Sequence, residues 1–190
     1  MANGFDRERL IALLKRDALR TGTFTLASGR TSHYYVDGRK VTLSAEGASE
    51  VGAGVLASIA DLSEVDALGG LTMGADPIVG ATLATAGGTD RKKLVGFLVR
   101  KEAKGHGTGK LVEGPLESGM KVVIVDDVAT TGGSSLQAVA AVESMGCQVL
   151  RVVVILDRLE GAGAAFTARG LDFRAMVTIR DLGVEPLPPA

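Results

Sequence analysis

The 190-residue sequence contains no tryptophan, two histidines and a single cysteine, Cys147. One thiol excludes an intramolecular disulfide and any cysteine metal cluster. Cys147 precedes an apolar run and reads as a buried structural thiol rather than a nucleophile. Neither sign of charge is in excess: 21 Lys and Arg stand against 22 Asp and Glu. Without a global basic field the chain is not expected to grip nucleic acid, and any attraction for phosphate has to be local. The opening MANGFDRERL lacks the apolar core of a signal peptide. The stretch 68–89 carries one charge, Asp76, but Pro77 beside it and many Gly, Ala and Thr residues suit a packed core segment better than a membrane span. The chain reads as cytoplasmic.

What is present fits one folded domain spanning 1–190. Hydrophobic residues make up 46% and charged residues 23%, an ordinary globular balance. The 26 glycines point to tight strand-to-helix turns and mobile loops. Leu10, Ile11, Leu14 and Ala18 at helical spacing predict a helix over 5–19, and residues 33–37 read as a strand. A helix over 44–60 precedes strands at 65–68, 94–99, 122–125, 149–156 and 175–179. Helices at 77–87 and 134–145, and a weak one at 161–169, lie among them. This alternation predicts an α/β fold with a mostly parallel central sheet flanked by helices, whose ligands bind beyond the carboxyl ends of the strands. The PLPPA tail is expected on the surface or on a partner subunit.

One such strand end is VVIVDDVATTGGSS, residues 122–135. Apolar residues stop at Asp126 and Asp127, and a loop of small polar residues leads into a helix. Ser134 and Gln137 have capping-box spacing, and Gly146 supplies the stop. The free N–H groups of such a helix start, with Thr130, Thr131, Gly132, Gly133 and Ser134 before it, make a phosphate site. The aspartates would repel that phosphate, so they suit neutral hydroxyls or a cation. A sugar diol a few ångströms from a phosphate, as in a ribose 5-phosphate, satisfies both halves. Turn-capping aspartates remain a competing explanation. A nucleotide-hydrolysing Walker pair fails, because Lys104 stands where GHGTGKL would need its first glycine and Leu111 where it needs Ser or Thr. GAGVLA at 52–57 lies inside a helical pattern and has no strand before it, which argues against a dinucleotide fold.

The whole stretch resembles the signature of the type I phosphoribosyltransferases, which bind 5-phosphoribosyl 1-pyrophosphate (PRPP). The resemblance implies that fold, with a small N-terminal hood region over about 1–40 and a flexible catalytic loop over about 100–114. It also implies that Asp126 and Asp127 contact the ribose hydroxyls while the following loop wraps the 5-phosphate. Three further stretches resemble the orotate phosphoribosyltransferases. In FTLASGRTSHYYVDGRK (24–40), Phe24, Leu26, Ser28, Gly29, Ser32, Tyr35 and Asp37 match the family's amino-terminal motif. Ala27 replaces a lysine that reaches substrate in many relatives, leaving Arg30 and Lys40 as possible substitutes; His33 reads as structural. VRKEAKGHGTGKLVEG (99–114) is by composition a charged, glycine-rich loop that can open and close. It resembles the family's hood loop, which closes over the neighbouring subunit's active site in a homodimer. By position, Arg100, Lys101, Lys104 and His106 would meet the pyrophosphate. In ILDRLEG (155–161) a surface ion pair is the plain reading, whereas the resemblance places Arg158 on orotate, with Thr130 helping. A guanidinium suits a carboxylate or pyrimidine carbonyls. GGLTMGADP (69–77) is either a turn before a helix or the pyrophosphate loop. In the second case the backbone amides of Thr72, Met73 and Gly74 do the binding, since Gly74 stands where some relatives have lysine.

The implied reaction joins orotate to PRPP, giving orotidine 5′-phosphate and pyrophosphate, with Mg²⁺ held mainly by the pyrophosphate rather than by protein ligands. The implied partners are the two small substrates and a second subunit, with no nucleic acid and no membrane. A phosphoribosyltransferase for a purine is the rival enzyme, disfavoured by the motif around Ser28 and Gly29 and by Arg158. A PRPP-sensing regulator is disfavoured by the lysine-rich hood and by the lack of a nucleic-acid-binding extension.

Overall fold

The computed structural model describes residues 4–25, 29, 31–102 and 110–188. Helix α1 (Arg7–Leu13) is capped by Asp6, whose carboxylate accepts the Arg9 N–H at 3.1 Å, and it continues as a π-helical turn over Leu14–Ala18. Leu19 then opens β1 (Leu19–Thr25), which pairs antiparallel with β2 (Thr31–Val36). In β2 the side chains alternate: Ser32, Tyr34 and Val36 are buried, while Thr31, His33 and Tyr35 are exposed. A short α2 (Arg39–Thr42) leads to α3 (Ala45–Ser58), capped by Ser44.

The rest of the chain builds the main sheet in the order β3 (Ala67–Leu71), α4 (Ala75–Ala86), β4 (Val95–Val99), β5 (Val112–Glu113), β6 (Lys121–Ala129), α5 (Gly133–Ser144), β7 (Gln148–Asp157), α6 (Ala162–Ala168) and β8 (Phe173–Thr178), followed by a 3₁₀ turn at Ile179–Leu182. The strands lie in the order β5-β4-β3-β6-β7-β8, all parallel except the short edge strand β5. Alternate residues of β6 feed two cores. Val123 and Val125 face a cluster with Leu10, Val51 and Ile78 from α1, α3 and α4. Val122 and Ile124 face the other side, with Val139, Val142 and Phe166 from α5 and α6. That two-sided burial explains why β6 and β7 read as continuous apolar runs.

Four expectations need correction. β6 does not stop at Val125 but runs through both aspartates to Ala129, because β7 remains alongside and pairs Asp126 with Val154, Val128 with Leu156 and Ala129 with Asp157. The Ser134–Gln137 capping box does not form. Gly132, at φ 83°, takes the cap position, Ser134 lies inside the first turn, and the Gln137 amide donates instead to the Lys101 carbonyl at 3.1 Å. α4 starts two residues earlier than predicted, since Pro77 in a first turn removes no helical hydrogen bond. The tail is only partly on the surface: Leu187 is buried in the chain's own first core, while Pro188 is exposed. Cys147 is buried, as read from the sequence, and its thiol donates to the Glu117 carbonyl at 3.3 Å. Among the described residues no helix is long and apolar enough to cross a membrane.

Candidate functional site

The strand order reverses between β3 and β6: β4 lies on one side of this pair and β7 on the other. The helices that follow the two central strands leave on opposite faces, α4 into the first core and α5 into the second. Their amino ends therefore flank one crevice at the carboxyl edge of the sheet, the place where open α/β sheets bind ligands. A cleft of about 250 Å³ opens there, lined by Gly38, Arg39, Met73, Gly74, Asp126, Asp127 and Ser134, with Lys101 at its margin.

Asp126 and Asp127 sit side by side on the last turnless part of β6. Asp126 is almost wholly buried; its Oδ2 accepts the Ser135 hydroxyl at 3.0 Å and its Oδ1 accepts the Asp127 N–H at 3.1 Å. Asp127 Oδ1 accepts the Val128 N–H at 3.0 Å. Burial, and next the charge of Asp127, push the Asp126 carboxyl up to about 7, against the opposing pull of Ser135. Burial also raises Asp127, opposed chiefly by the Val128 N–H and less by the Arg39 charge. Two glycines let neighbouring loops close on this pair. A Cβ at Gly74 would lie 2.8 Å from Oδ1 of both aspartates, and one at Gly38 would lie 3.1 Å from Asp127 Oδ2.

The loop from Thr130 to Ser134 curls around a small hollow of about 20 Å³ at the start of α5, bounded also by Asp126 and Ser135. Across the cleft, Gly74 takes the cap position of α4. The Thr72 N–H is already donated to the Val99 carbonyl at 2.8 Å, so Thr72 does not offer its amide as the sequence suggested. The extended pairing of β3 with β4 consumes it, leaving Met73 and Gly74 at the open helix end, where amides lack intrahelical partners.

The basic residues divide. Lys101 is exposed at the cleft of its own chain. Arg100 is held by Glu113, with Nε and Nη2 each 3.0 Å from Oε1. Arg158, with Thr130 at the neighbouring strand end, is not an exposed surface ion pair: it is buried against Tyr34 and Glu160. Ser28, Ala27, Arg30, Lys104 and His106 lie outside the described residues. Lys40 is exposed beside a second hollow lined by Asp37, Leu43, Met73 and Pro77. His33 is exposed with its ring edge-on to Tyr34.

Four neighbours of the site were not singled out in the sequence. Arg39 lines the cleft with its Nε 2.9 Å from Asp37. Ser135 holds Asp126, and Tyr34 and Glu160 enclose Arg158. The period-two pattern of β2 does put Tyr34 on the inward face; the other three carry no pattern of their own.

Among the described residues no group of three or more His, Cys, Asp or Glu could hold a metal ion. Two adjacent carboxylates lining the cleft nevertheless suit a hard cation that takes its remaining ligands from substrate oxygens and water.

Residues 52–167 match the model of the phosphoribosyl transferase domain. Over 186 residues the chain is 49% identical to an orotate phosphoribosyltransferase of Rhodopirellula baltica, covering 95% of this chain and 96% of that one. It is also 49% identical to an orotate phosphoribosyltransferase of Thermosynechococcus vestitus, over 93% of this chain and 92% of the other. Its backbone is similar to the crystal structure of the Mycobacterium tuberculosis orotate phosphoribosyltransferase in complex with PRPP. The TM-score is 0.78 at 35% identity, covering 94% of this chain and 99% of that one.

Proposed function

The chain belongs to the orotate phosphoribosyltransferase family, enzymes of pyrimidine biosynthesis, and from that premise we propose how its own residues divide the work. The reaction transfers the 5-phosphoribosyl group of PRPP to orotate, releasing pyrophosphate. One observation carries the assignment of roles: two helix amino ends face each other across a buried pair of aspartates.

The loop Thr130–Ser134 and the start of α5 take the 5-phosphate, whose charge suits free N–H groups at a helix start. Asp126 and Asp127 accept the ribose hydroxyls and fix C1. The charge they carry, with that of Asp126 developing as it ionises around pH 7, also offsets the positive charge that grows on the ring as the C1–oxygen bond breaks. The Met73 and Gly74 amides at the head of α4 hold the pyrophosphate, aided by Arg39, which supplies a cation that neither Ala27 nor Gly74 can. Mg²⁺ carried on the pyrophosphate would supply neutralisation of the leaving-group charge, and Asp126 and Asp127 are the carboxylates on this chain that would stand beside it. Lys101, Lys104, His106 and Arg100 of the hood loop add donors to the pyrophosphate, contacts of a kind commonly worth about 3 kcal/mol each. Ser28 of the amino-terminal motif contacts substrate, and Arg158 with Thr130 recognises the base.

The working unit is a homodimer sharing its sites, and an apolar surface supports it. Leu43 and Met73, 73% and 68% exposed, flank the second hollow beside the cleft, an arrangement that a second copy would cover. The substrates are small polar metabolites, and the enzyme acts in the cytoplasm without membrane or nucleic acid.

The test is loss of orotate absorbance with PRPP and Mg²⁺. Turnover is expected with orotate, none with adenine or hypoxanthine, and none after chelation of Mg²⁺. Turnover with a purine but not orotate overturns the base assignment. Mixing Lys104→Ala with Asp127→Ala protein is expected to restore part of the activity. No rescue after confirmed subunit exchange overturns the shared site.

A further inference from the structure

Arg158 leaves the carboxyl end of β7 into an enclosure formed by residues from distant parts of the chain. The Tyr34 ring packs against its guanidinium, with the centroid 4.8 Å from Cζ. The Tyr34 hydroxyl accepts from Arg158 Nε at 3.3 Å and donates to Glu160 Oε1 at 3.0 Å. Arg158 Nη2 lies 2.7 Å from the same Glu160 oxygen. Tyr34 is fully buried, and Glu160 and Arg158 are only 5% and 7% exposed. Burial also raises the Tyr34 hydroxyl above its ordinary range, which keeps it protonated and able to donate.

Three observations separate this cluster from an ion pair that merely closes the core. Nη2 is buried and close to a carboxylate, yet it has no aligned hydrogen-bond acceptor among the described residues. Buried donors are seldom left in that state without a role. Arg151, at the other end of β7, shows the contrast: its guanidinium donates to Asp172, the Ser58 carbonyl and both oxygens of Asp61, at 2.6–3.0 Å. Next, Leu159 between Arg158 and Glu160 takes φ 59°, a left-handed conformation unusual for a branched side chain, and Asp157 Oδ1 holds its N–H at 2.8 Å. Such strain gathers where surrounding structure enforces it for function. Finally, the cluster adjoins the phosphate loop, since the Arg158 N–H donates to the Ala129 carbonyl and the Ala162 N–H to that of Thr130.

We propose that Tyr34 and Glu160 are positioning residues that hold the Arg158 guanidinium in a fixed orientation toward the base. This rests on the assignment of Arg158 to base recognition. Glu160 balances the buried cation before substrate arrives, and Tyr34 fixes the guanidinium plane from its face. A fixed fork loses less freedom on binding a planar carboxylate or carbonyl than a mobile one does. Tyr34 also ties base recognition to the β1–β2 hairpin, because it lies on β2 and bonds both Arg158 and Glu160.

Steady-state kinetics on Tyr34→Phe, Glu160→Gln and Arg158→Lys test the proposal, each substrate being varied with the other saturating. Tyr34→Phe keeps the packing ring and removes only the hydroxyl. The KM for orotate is expected to rise about tenfold or more in all three variants, with the KM for PRPP within about twofold of the parent. An unchanged orotate KM in Tyr34→Phe and Glu160→Gln, with Arg158→Lys still impaired, overturns the positioning role alone. Parallel rises in both KM values with a lowered Tm make the cluster structural and also overturn it. An unimpaired Arg158→Lys enzyme instead sinks the underlying base assignment.

Discussion

Replacing Asp126 by Asn should stabilise the folded protein at neutral and higher pH while abolishing most of its activity. The parent carboxyl is held at about 7 instead of near 3.8, mainly because it is buried. Between about pH 4 and pH 7 the unfolded chain has released this proton while the folded chain keeps it, so rising pH removes stability across that window. At about 1.4 kcal/mol per pH unit the cost reaches about 4 kcal/mol above pH 7 and vanishes below pH 4. The Asn side-chain oxygen can keep the Asp127 N–H that now bonds Oδ1 at 3.1 Å, while Ser135, 3.0 Å from the other position, turns its hydroxyl to accept from the new NH2. Urea unfolding of parent and variant at one protein concentration, without PRPP or Mg²⁺, measures the difference. Carboxylates held low in both proteins, such as Asp61, Glu46 and Asp181, cancel in that comparison. The variant should gain about 2–4 kcal/mol at pH 8 and almost nothing at pH 4. A gain equal at both pH values, or a loss at pH 8, would refute the reasoning.

Gly74→Ala should lower kcat/KM about tenfold or more, because the new methyl would meet both aspartates at 2.8 Å, while urea unfolding shows little loss of stability. The backbone at Gly74, φ −64° and ψ −43°, suits alanine, so parent-like activity would show that the carboxylates can move aside freely. Arg151→Ala should lower Tm by about 5–10 °C and leave both KM values unchanged in the folded fraction, since that guanidinium binds only the base of the sheet. A shift in the orotate KM would contradict this separation.

The architecture was legible because its main signals are local. Runs such as Val122–Val125 must be buried on both faces, and glycine-punctuated alternation with helices leaves few folds besides a parallel sheet. The phosphate loop and the aspartates were legible for the same reason, being contiguous. What escaped was set by tertiary contact. Whether β6 ended at the aspartates depended on how far β7 accompanies it, and Thr72 looked like a free donor until Val99 was seen opposite it. The expected capping box lost to a glycine two residues earlier whose left-handed backbone positions the helix start. Tyr34 and Glu160 lie 126 residues apart and meet only because the hairpin folds back over the sheet. No spacing rule brings such a pair together.

Strand β7 carries one buried arginine near its entrance and another at its exit, seven positions further along, or about 23 Å of extended chain. The first donates to three neighbouring groups, whereas the second is held by Tyr34 and Glu160 alone among the described residues, with its Nη2 in an ion pair that lacks an aligned hydrogen bond. The strand thus keeps its foundation and its reading head apart, with an apolar shaft between them. Attempts to retrain the enzyme for a different nucleobase can therefore work at the Arg158 end and leave the Arg151 anchorage untouched.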